Sequence, residues 1–299
     1  MSKLAIALSV AGRPGAGPPG LTGVGVPPGA ALLTDQQWDV APPQGPARDA
    51  QGWARYDGNL IVVPDSGGAF GPSNALRVRY TPNTKGGTDP GSFGYKRPPG
   101  LFYPKIFHEI WMNMDLHFTQ ECRHLQSGTI GRVAGIKLLF QHGPYRSGPA
   151  RNFSYLNLCG SVDYRIGVNV SGPVNAEMPK GLSANHLAPK SAFTWGQPGD
   201  PTNRGRYIKV GWGIEVNTLG NADGRLTLYV DDRLVWQTAD VRFFYPSQIP
   251  LGYNEFELSP TFGGAPSTPV NGIATDPHDW RPLADQDLKI DRWRIHVLP

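Results

Sequence analysis

The sequence predicts an all-β sandwich, a jelly roll carrying an extended Gly/Pro-rich N-terminal arm, and three observations lead there. First, 38 Gly and 30 Pro make up nearly a quarter of the 299 residues, against about 12% in an average chain. These are the costliest residues in a helix interior, which excludes a helical bundle or a coiled coil. Second, from residue 53 onward apolar residues recur at every second position, the period of a half-buried strand. Third, 39% hydrophobic and 10% aromatic content, with 8 Trp, suffices to fill a large core, which excludes a wholly disordered chain. Strands without helices, joined by Gly/Pro-rich turns, pack as sheet on sheet.

The arm comes first in the chain. Residues 1–11, MSKLAIALSVA, have one Lys, a short apolar run and small residues at Ser9 and Ala11. That is the outline of a secretory signal, but shorter than the usual 15–30 residues, and an apolar N-terminal strand or arm fits it better. Residues 12–29 hold 7 Gly and 5 Pro in 18 positions. The glycines slip out of the strict three-residue register that a collagen helix needs, so an extended, polyproline-like arm is expected. A second Pro-rich stretch, Ala41–Pro46, leads into the folded part. The division is therefore an arm over 1–50 and one sandwich domain over 51–299.

The strands follow in order. In NALRVRY, Leu76, Val78 and Tyr80 oppose Arg77 and Arg79; in FHEIWMNMDLHF, Ile110, Met112, Met114 and Leu116 oppose Glu109, Trp111, Asn113 and Asp115. GIKLLFQHG sets Ile136, Leu138 and Phe140 against Lys137 and Gln141, and NFSYLNL sets Leu156 and Leu158 against Tyr155 and Asn157. YIKVGWGIEVNTL puts Ile208, Val210, Trp212, Ile214 and Val216 on one face, Lys209, Glu215 and Asn217 on the other. RLTLYVDDRLVWQ and LKIDRWRIHVL repeat the theme. Alternation of this kind marks antiparallel sheets with one buried and one solvated face, and Asn-Ala-Asp-Gly and Asp-Asp between the runs are turn signals.

Three stretches carry a family resemblance. The run KVGWGIEVNTLGNADGRLTLYVDDRLVWQTADVRF resembles the penultimate hairpin of concanavalin A-like jelly rolls, and ELSPTFGG (257–264) and DLKIDRWRIHV (287–297) resemble their closing strands. SNALRVRYTPNTKGGTDPGSFGY (73–95) and GIKLLF (135–140) are similar to segments of uncharacterised polysaccharide-lyase-like members. The resemblance spans about residues 53–298. It implies a ligand laid across a concave sheet, but a fold hosts many activities. Such folds often carry a structural Ca²⁺, for which Asp285, Asp287 and Asp291 are the candidate carboxylates; these three, like Asp231 and Asp232, read first as turn-capping residues, so the first expectation is no cofactor.

The side chains not used in the core supply the candidate binding set: Arg77, Arg79, Trp111, Asn113, Gln141, Asn157, Arg165, Lys209 and Glu215, with Lys137 and Tyr155 beside them. Arg and Lys pair with uronate or sulfate groups, and aromatic faces cover the apolar faces of sugars. A bulge in any strand shifts such a set inward by one residue. A lyase acting on an acidic sugar needs a base for the proton α to the carboxylate, support for the enolate charge, and an acid for the departing oxygen. His108 or His142 is the candidate base, Tyr155 the acid or base, and Lys137, Arg79 or Asn157 the charge stabiliser. A glycosidase would need two carboxylates at a set separation, and neither the stretch from Glu109 nor the pair Glu255 and Glu257 makes a convincing one.

Other classes find less support. A net charge of +4 is mild and unclustered, so a nucleic-acid face has no footprint. No apolar run reaches the ~20 residues of a membrane-spanning helix, and no phosphate-binding glycine loop is present. Cys122 and Cys159 allow at most one internal disulfide. Three readings remain: a carbohydrate-recognition sandwich for an acidic or extracellular polysaccharide, a β-eliminating polysaccharide lyase, or a structural subunit of a virion, filament or surface layer, oligomeric through the arm. All three place the protein outside the cell, on its surface or in a virion.

Overall fold

The computed structural model describes residues 25–38, 54–56, 60–68, 72–81, 92–95, 109–118, 136–143, 153–158, 167–171, 193, 202–246, 249, 251–262 and 285–298. These form fourteen strands: β1 (Ala31–Gln36), β2 (Ala54–Tyr56), β3 (Leu60–Asp65), β4 (Ser73–Tyr80), β5 (Ser92–Tyr95), β6 (Glu109–Phe118), β7 (Ile136–His142), β8 (Phe153–Leu158), β9 (Gly167–Ser171), β10 (Tyr207–Glu215), β11 (Gly224–Val230), β12 (Arg233–Val241), β13 (Glu255–Phe262) and β14 (Gln286–Leu298). No helix occurs among the described residues beyond a single turn residue at Pro246.

Eight strands make sheet A, in the order β12-β11-β10-β6-β14-β4-β3 with β1 attached to β14; six make sheet B, in the order β2-β5-β13-β7-β8-β9. Every pairing is antiparallel. The two sheets share one core. Leu76, Val78, Ile208, Val210, Trp212, Ile214, Leu288, Ile290, Trp293 and Ile295 come to it from sheet A, and Leu138, Phe256 and Leu258 from sheet B. Tyr80 of β4 spans the two layers, its hydroxyl donating to the carbonyl of Pro260 at 2.9 Å. This is the jelly-roll sandwich that the alternation predicts, with the expected core faces on β4 and β10. Each large side chain fully buried there contributes roughly 1.5–3 kcal/mol.

Two turns show how the sequence shapes sheet A. Asp231 and Asp232 have φ of 46° and 64°, the left-handed pair that a two-residue hairpin turn requires, and Val230 pairs directly with Arg233 across it. Asn217, just past β10, is 2% exposed. Its amide shares its hydrogens among the carbonyls of Thr218, Asn221 and Phe244, and its oxygen accepts from the backbone N–H groups of Phe243 and Phe244. One side chain thus ties the β10–β11 connection to the segment that leaves β12. At Gly224 a Cβ would lie 2.6 Å from the Val241 carbonyl, so only glycine admits that close approach.

Residues 31–36 fall within the stretch expected as an arm, yet β1 pairs with the last strand of its own chain, Asp35 opposite Arg294 and Gln36 opposite Trp293. Trp38 follows it into the core at 1% exposure. The segment from Ala31 is therefore an integral strand of sheet A, not an arm free to reach a neighbour. Residues 1–24, and with them the signal-like start, lie outside the described residues, as do Cys122 and Cys159.

Candidate functional site

The alternation that drives Leu76, Val78, Leu288 and Ile290 inward leaves Arg77, Arg79, Asp287 and Lys289 on the outer face of sheet A. β14 has a register shift between Ile290 and Trp293. After it, Trp293, Ile295 and Val297 are buried in the core, and Arg292, Arg294 and His296 take the outer row. One strand thus carries four basic residues along a single face.

This face is concave. Tyr207 opens β10 and Asp65 closes β3, four strand spacings apart in the sheet order, or about 19 Å if the sheet were flat. The Tyr207 hydroxyl nonetheless donates to Asp65 Oδ2 at 2.7 Å, and Lys289 Nζ reaches the same oxygen at 3.0 Å. The sheet must curl toward its outer side for the three to meet. Burial works to raise the Asp65 pKa, but the hydrogen bonds from Tyr207, Lys289 and the Gly67 N–H outweigh it, so the carboxyl stays below its ordinary value. It therefore remains anionic at neutral pH and faces the Lys289 ammonium as an ion pair.

A second cluster lies further along β14. Asp35 of β1 receives two hydrogen bonds from Arg292, at 2.8 and 2.7 Å, and one from Arg294 at 3.1 Å. Burial again pushes its pKa up, and the two guanidinium groups overcome that and hold it low. His296, the next outward residue, has Nδ1 buried and without a hydrogen-bond partner. Burial lowers its pKa, Arg294 adds to that and Asp35 opposes it, so the imidazole is neutral at neutral pH.

The register carries these rows across the sheet. Ile61, Arg77, Lys289, His117 and Tyr207 stand opposite one another on β3, β4, β14, β6 and β10. His296, Trp111 and Gly213 form another row, and Arg294, Asn113 and Gly211 the row between.

The expected binding residues divide between the two sheets. Arg77, Arg79, Trp111, Asn113, Lys209 and Glu215 all belong to sheet A. Among those with described side chains, Arg79 is chelated by Asp287 at 2.8 and 2.9 Å, Lys209 is paired with Asp232 at 2.9 Å, and Glu215 with Arg225 at 3.3 Å. Arg77 differs: its Nε is buried without a partner, and it forms no hydrogen bond or ion pair among the described residues. Lys137, Gln141, His142, Tyr155 and Asn157 stand on β7 and β8 of sheet B. There Gln141 lies opposite the core residue Phe256, and His142 opposite Glu255. A register shift on β7 between Lys137 and Leu139 breaks the simple alternation. The two groups thus stand on different sheets of the sandwich. His108 and Arg165 lie outside the described residues.

The three candidate Ca²⁺ aspartates are not gathered. Asp287 engages Arg79, with Asp285 3.9 Å from the same guanidinium, and Asp291 accepts from the Ser73 hydroxyl at 2.8 Å. Among the described residues no group of three or more His, Cys, Asp or Glu could hold a metal ion, nor is any helix long and apolar enough to cross a membrane.

The sequence reading missed Asp65, Tyr207, Lys289, Arg292, Arg294, His296 and His117. A signal for four of them was present in LKIDRWRIHVL, where basic residues sit between apolar ones. The bulge, which brings Arg292, Arg294 and His296 onto the face that Lys289 occupies, hid the set.

No family model matches this sequence, and no curated protein matches it. Solved structures do match in fold. One is the endo-β-1,4-glucuronan lyase from the fungus Trichoderma reesei, at TM-score 0.50 and 10% identity over 82% of this chain and 94% of that one. Another is the alginate lyase vAL-1 from a Chlorella virus, at TM-score 0.50 and 14% identity over 83% and 93%. Likeness at such identities is likeness of fold, and it agrees with the concanavalin A-like sandwich that the sequence resembles.

Proposed function

We propose that the concave outer face of sheet A binds an acidic polysaccharide. The observation that carries this reading is Arg77: a half-buried guanidinium that forms no hydrogen bond or ion pair among the described residues, beside Lys289 on a curled sheet. A planar guanidinium left unpaired is suited to a bidentate carboxylate or sulfate, and its desolvation is offset only when such a group arrives. Asp65 and Asp35 hold Lys289, Arg292 and Arg294 in place without supplying Arg77. Alginate and glucuronan, polymers with a carboxylate on each sugar, are the ligands to test first, given the fold likeness. Titration calorimetry with either polymer is expected to show binding that weakens as salt is raised. Arg77→Ala should weaken it about tenfold, or ~1.4 kcal/mol. Wild-type protein that binds neither polymer, nor a sulfated glycan, would overturn the reading.

A second reading is β-elimination, favoured by one observation: the row Lys289, His117, Tyr207 supplies the needed residue types side by side. A base would remove the proton α to the carboxylate, and the electron pair would pass into the enolate, stabilised by the Lys289 and Arg77 cations. Breakage of the β carbon–oxygen bond would leave a double bond, and an acid would protonate the departing oxygen. Lys289, ion-paired with Asp65, supplies charge support; His117 and Tyr207 remain for the proton transfers. Ultraviolet absorbance of the unsaturated product, followed with each polymer, tests this reading. Absorbance that grows with wild type and not with His117→Ala supports it, and a flat trace across the panel removes it.

A further inference from the structure

The β11–β12 hairpin forms one edge of sheet A, and its tip carries a cation on the core-facing side. Arg233 stands directly opposite Val230, and residues paired in this way across an antiparallel ladder project from the same face. Val230 belongs to the core at 4% exposure. The outer row passes instead through Leu234, opposite Tyr229, while Arg233 lies at the sheet edge and stays exposed. Neither carboxylate of the turn pairs with it. Asp231 accepts from Arg206 Nη2 at 3.0 Å and from the Lys209 N–H at 3.1 Å, and Asp232 accepts from Lys209 Nζ at 2.9 Å. Arg233 forms no hydrogen bond or ion pair among the described residues.

The guanidinium borders an open cleft of about 410 Å³, lined by Phe193, Asn203, Val230, Asp231, Arg233 and Val235, a volume within the ~300–1,000 Å³ of small-ligand sites. Phe193, Val230 and Val235 make its apolar wall and pack against the core. Val235 is the extra residue of the bulge where Leu228 pairs with Trp236 and Tyr229 with Leu234, and such bulges re-aim a side chain. The polar rim is fixed in advance, because Arg206 donates both to Asn203 Oδ1, at 2.9 Å, and to Asp231. Asp231 remains 42% exposed, with lone pairs left to accept from a ligand hydroxyl. We infer that this cleft binds a single uronic-acid sugar. Its carboxylate forms a two-pronged ion pair with Arg233, a ring hydroxyl donates to Asp231, and the apolar face of the pyranose covers Phe193 and the two valines. A neutral sugar leaves Arg233 unmatched, and an aromatic carboxylate has no hydroxyl for Asp231. The cleft shares no residue with the outer face around Arg77 and Lys289.

Amide chemical shifts of the full chain, followed by NMR as glucuronate, glucose or benzoate is added, test the site. Glucuronate should produce saturable shifts at Val230, Arg233 and Val235, with an affinity at least about fivefold above that of glucose or benzoate. Arg233→Ala should weaken glucuronate about tenfold, and Arg233→Lys should recover part of that loss. Phe193→Ala should weaken glucuronate and glucose alike. Circular dichroism melts establish that each variant is folded. Shifts that never saturate with glucuronate, or an Arg233→Ala variant that binds it as tightly as wild type, overturn the cleft and leave the outer-face reading standing. Saturable shifts confined to the strands around Lys289 do the same. Benzoate bound as tightly as glucuronate overturns the sugar assignment.

Discussion

The two halves of sheet A treat charge differently. Around the β10–β12 meander the ion pairs join residues close in sequence: Lys209 with Asp232, Arg206 with Asp231, Glu215 with Arg225. These pairs close on themselves as the hairpins form. Around β14 the partners come from the other end of the chain: Asp35 with Arg292 and Arg294, Asp65 with Lys289, Arg79 with Asp287. That half also keeps the Arg77 Nε and the His296 Nδ1 without hydrogen-bond partners among the described residues. Local pairing settles three of the meander's charges early, while the exposed Arg233 of β12 takes part in none of these pairs. Long-range pairing instead fixes cations in place on a curved surface, the arrangement that the proposed binding face requires.

The largest expected effect is on stability in the meander half. Asn217→Ala strips the buried N–H groups of Phe243 and Phe244 of their acceptor. Each unsatisfied group costs about 1–3 kcal/mol, so urea denaturation should show a loss of roughly 2–4 kcal/mol. Polysaccharide affinity of the folded fraction should hold, because this contact belongs to the half away from the proposed polymer face.

Next in size is Asp35→Ala, which leaves two largely buried guanidinium groups facing each other. A loss of about 2–3 kcal/mol is expected, somewhat under the cost for a fully buried pair, because Asp35 itself retains 22% exposure. A stability change below ~0.5 kcal/mol, the range of ordinary surface substitutions, would show that β1 is not held by this cluster.

Acid should act on the β14 half first. The folded pKa of His296 is lowered, so the unfolded chain binds the extra proton, and stability is fully present above the ordinary 6.5 and falls as pH drops through the folded value. Asp35 and Asp65 are also lowered, so their contribution is present above the ordinary 3.8 and is lost as pH falls further. Melting temperature followed from pH 7 downward should decline in two stages, and His296→Asn should remove the first. A decline of equal size in that variant would assign the upper stage to another group.

The smallest effect belongs to the local pairs. Lys209→Ala should cost under ~1 kcal/mol, as exposed ion pairs do, with no measurable change in polymer affinity. A tenfold loss of that affinity in Lys209→Ala would shift the polymer site toward the meander and erase the distinction between the halves.

Much of the fold was legible because alternation is a local property. In β4 and β10 each apolar residue that the period assigned inward is in the core, and the Asp-Asp turn lies where the two aspartates announce it. The site was less legible. Arg79, Lys209 and Glu215 have the right residue types at outward positions, but their charges are used within the protein, and no single strand reveals its partner's charges. In β7 the register shift at Leu138 upset the two-residue count, and in β14 the bulge concealed the row of Arg292, Arg294 and His296. Residues 31–38 had the composition of an arm, and only the free edge of β14 and the space for Trp38 turned them into a strand.

By itself the sequence determined the class of the molecule, since steric limits on Gly and Pro and the alternation of apolar residues act within a few positions and need no partner. It also determined the faces of the regular strands. The tertiary structure alone decided which outer face is curled, because curvature arises from how many strands coil together. It alone decided which cations are already neutralised. Asp35 and Arg292 are separated by 257 positions and meet only when the first described strand closes against the last.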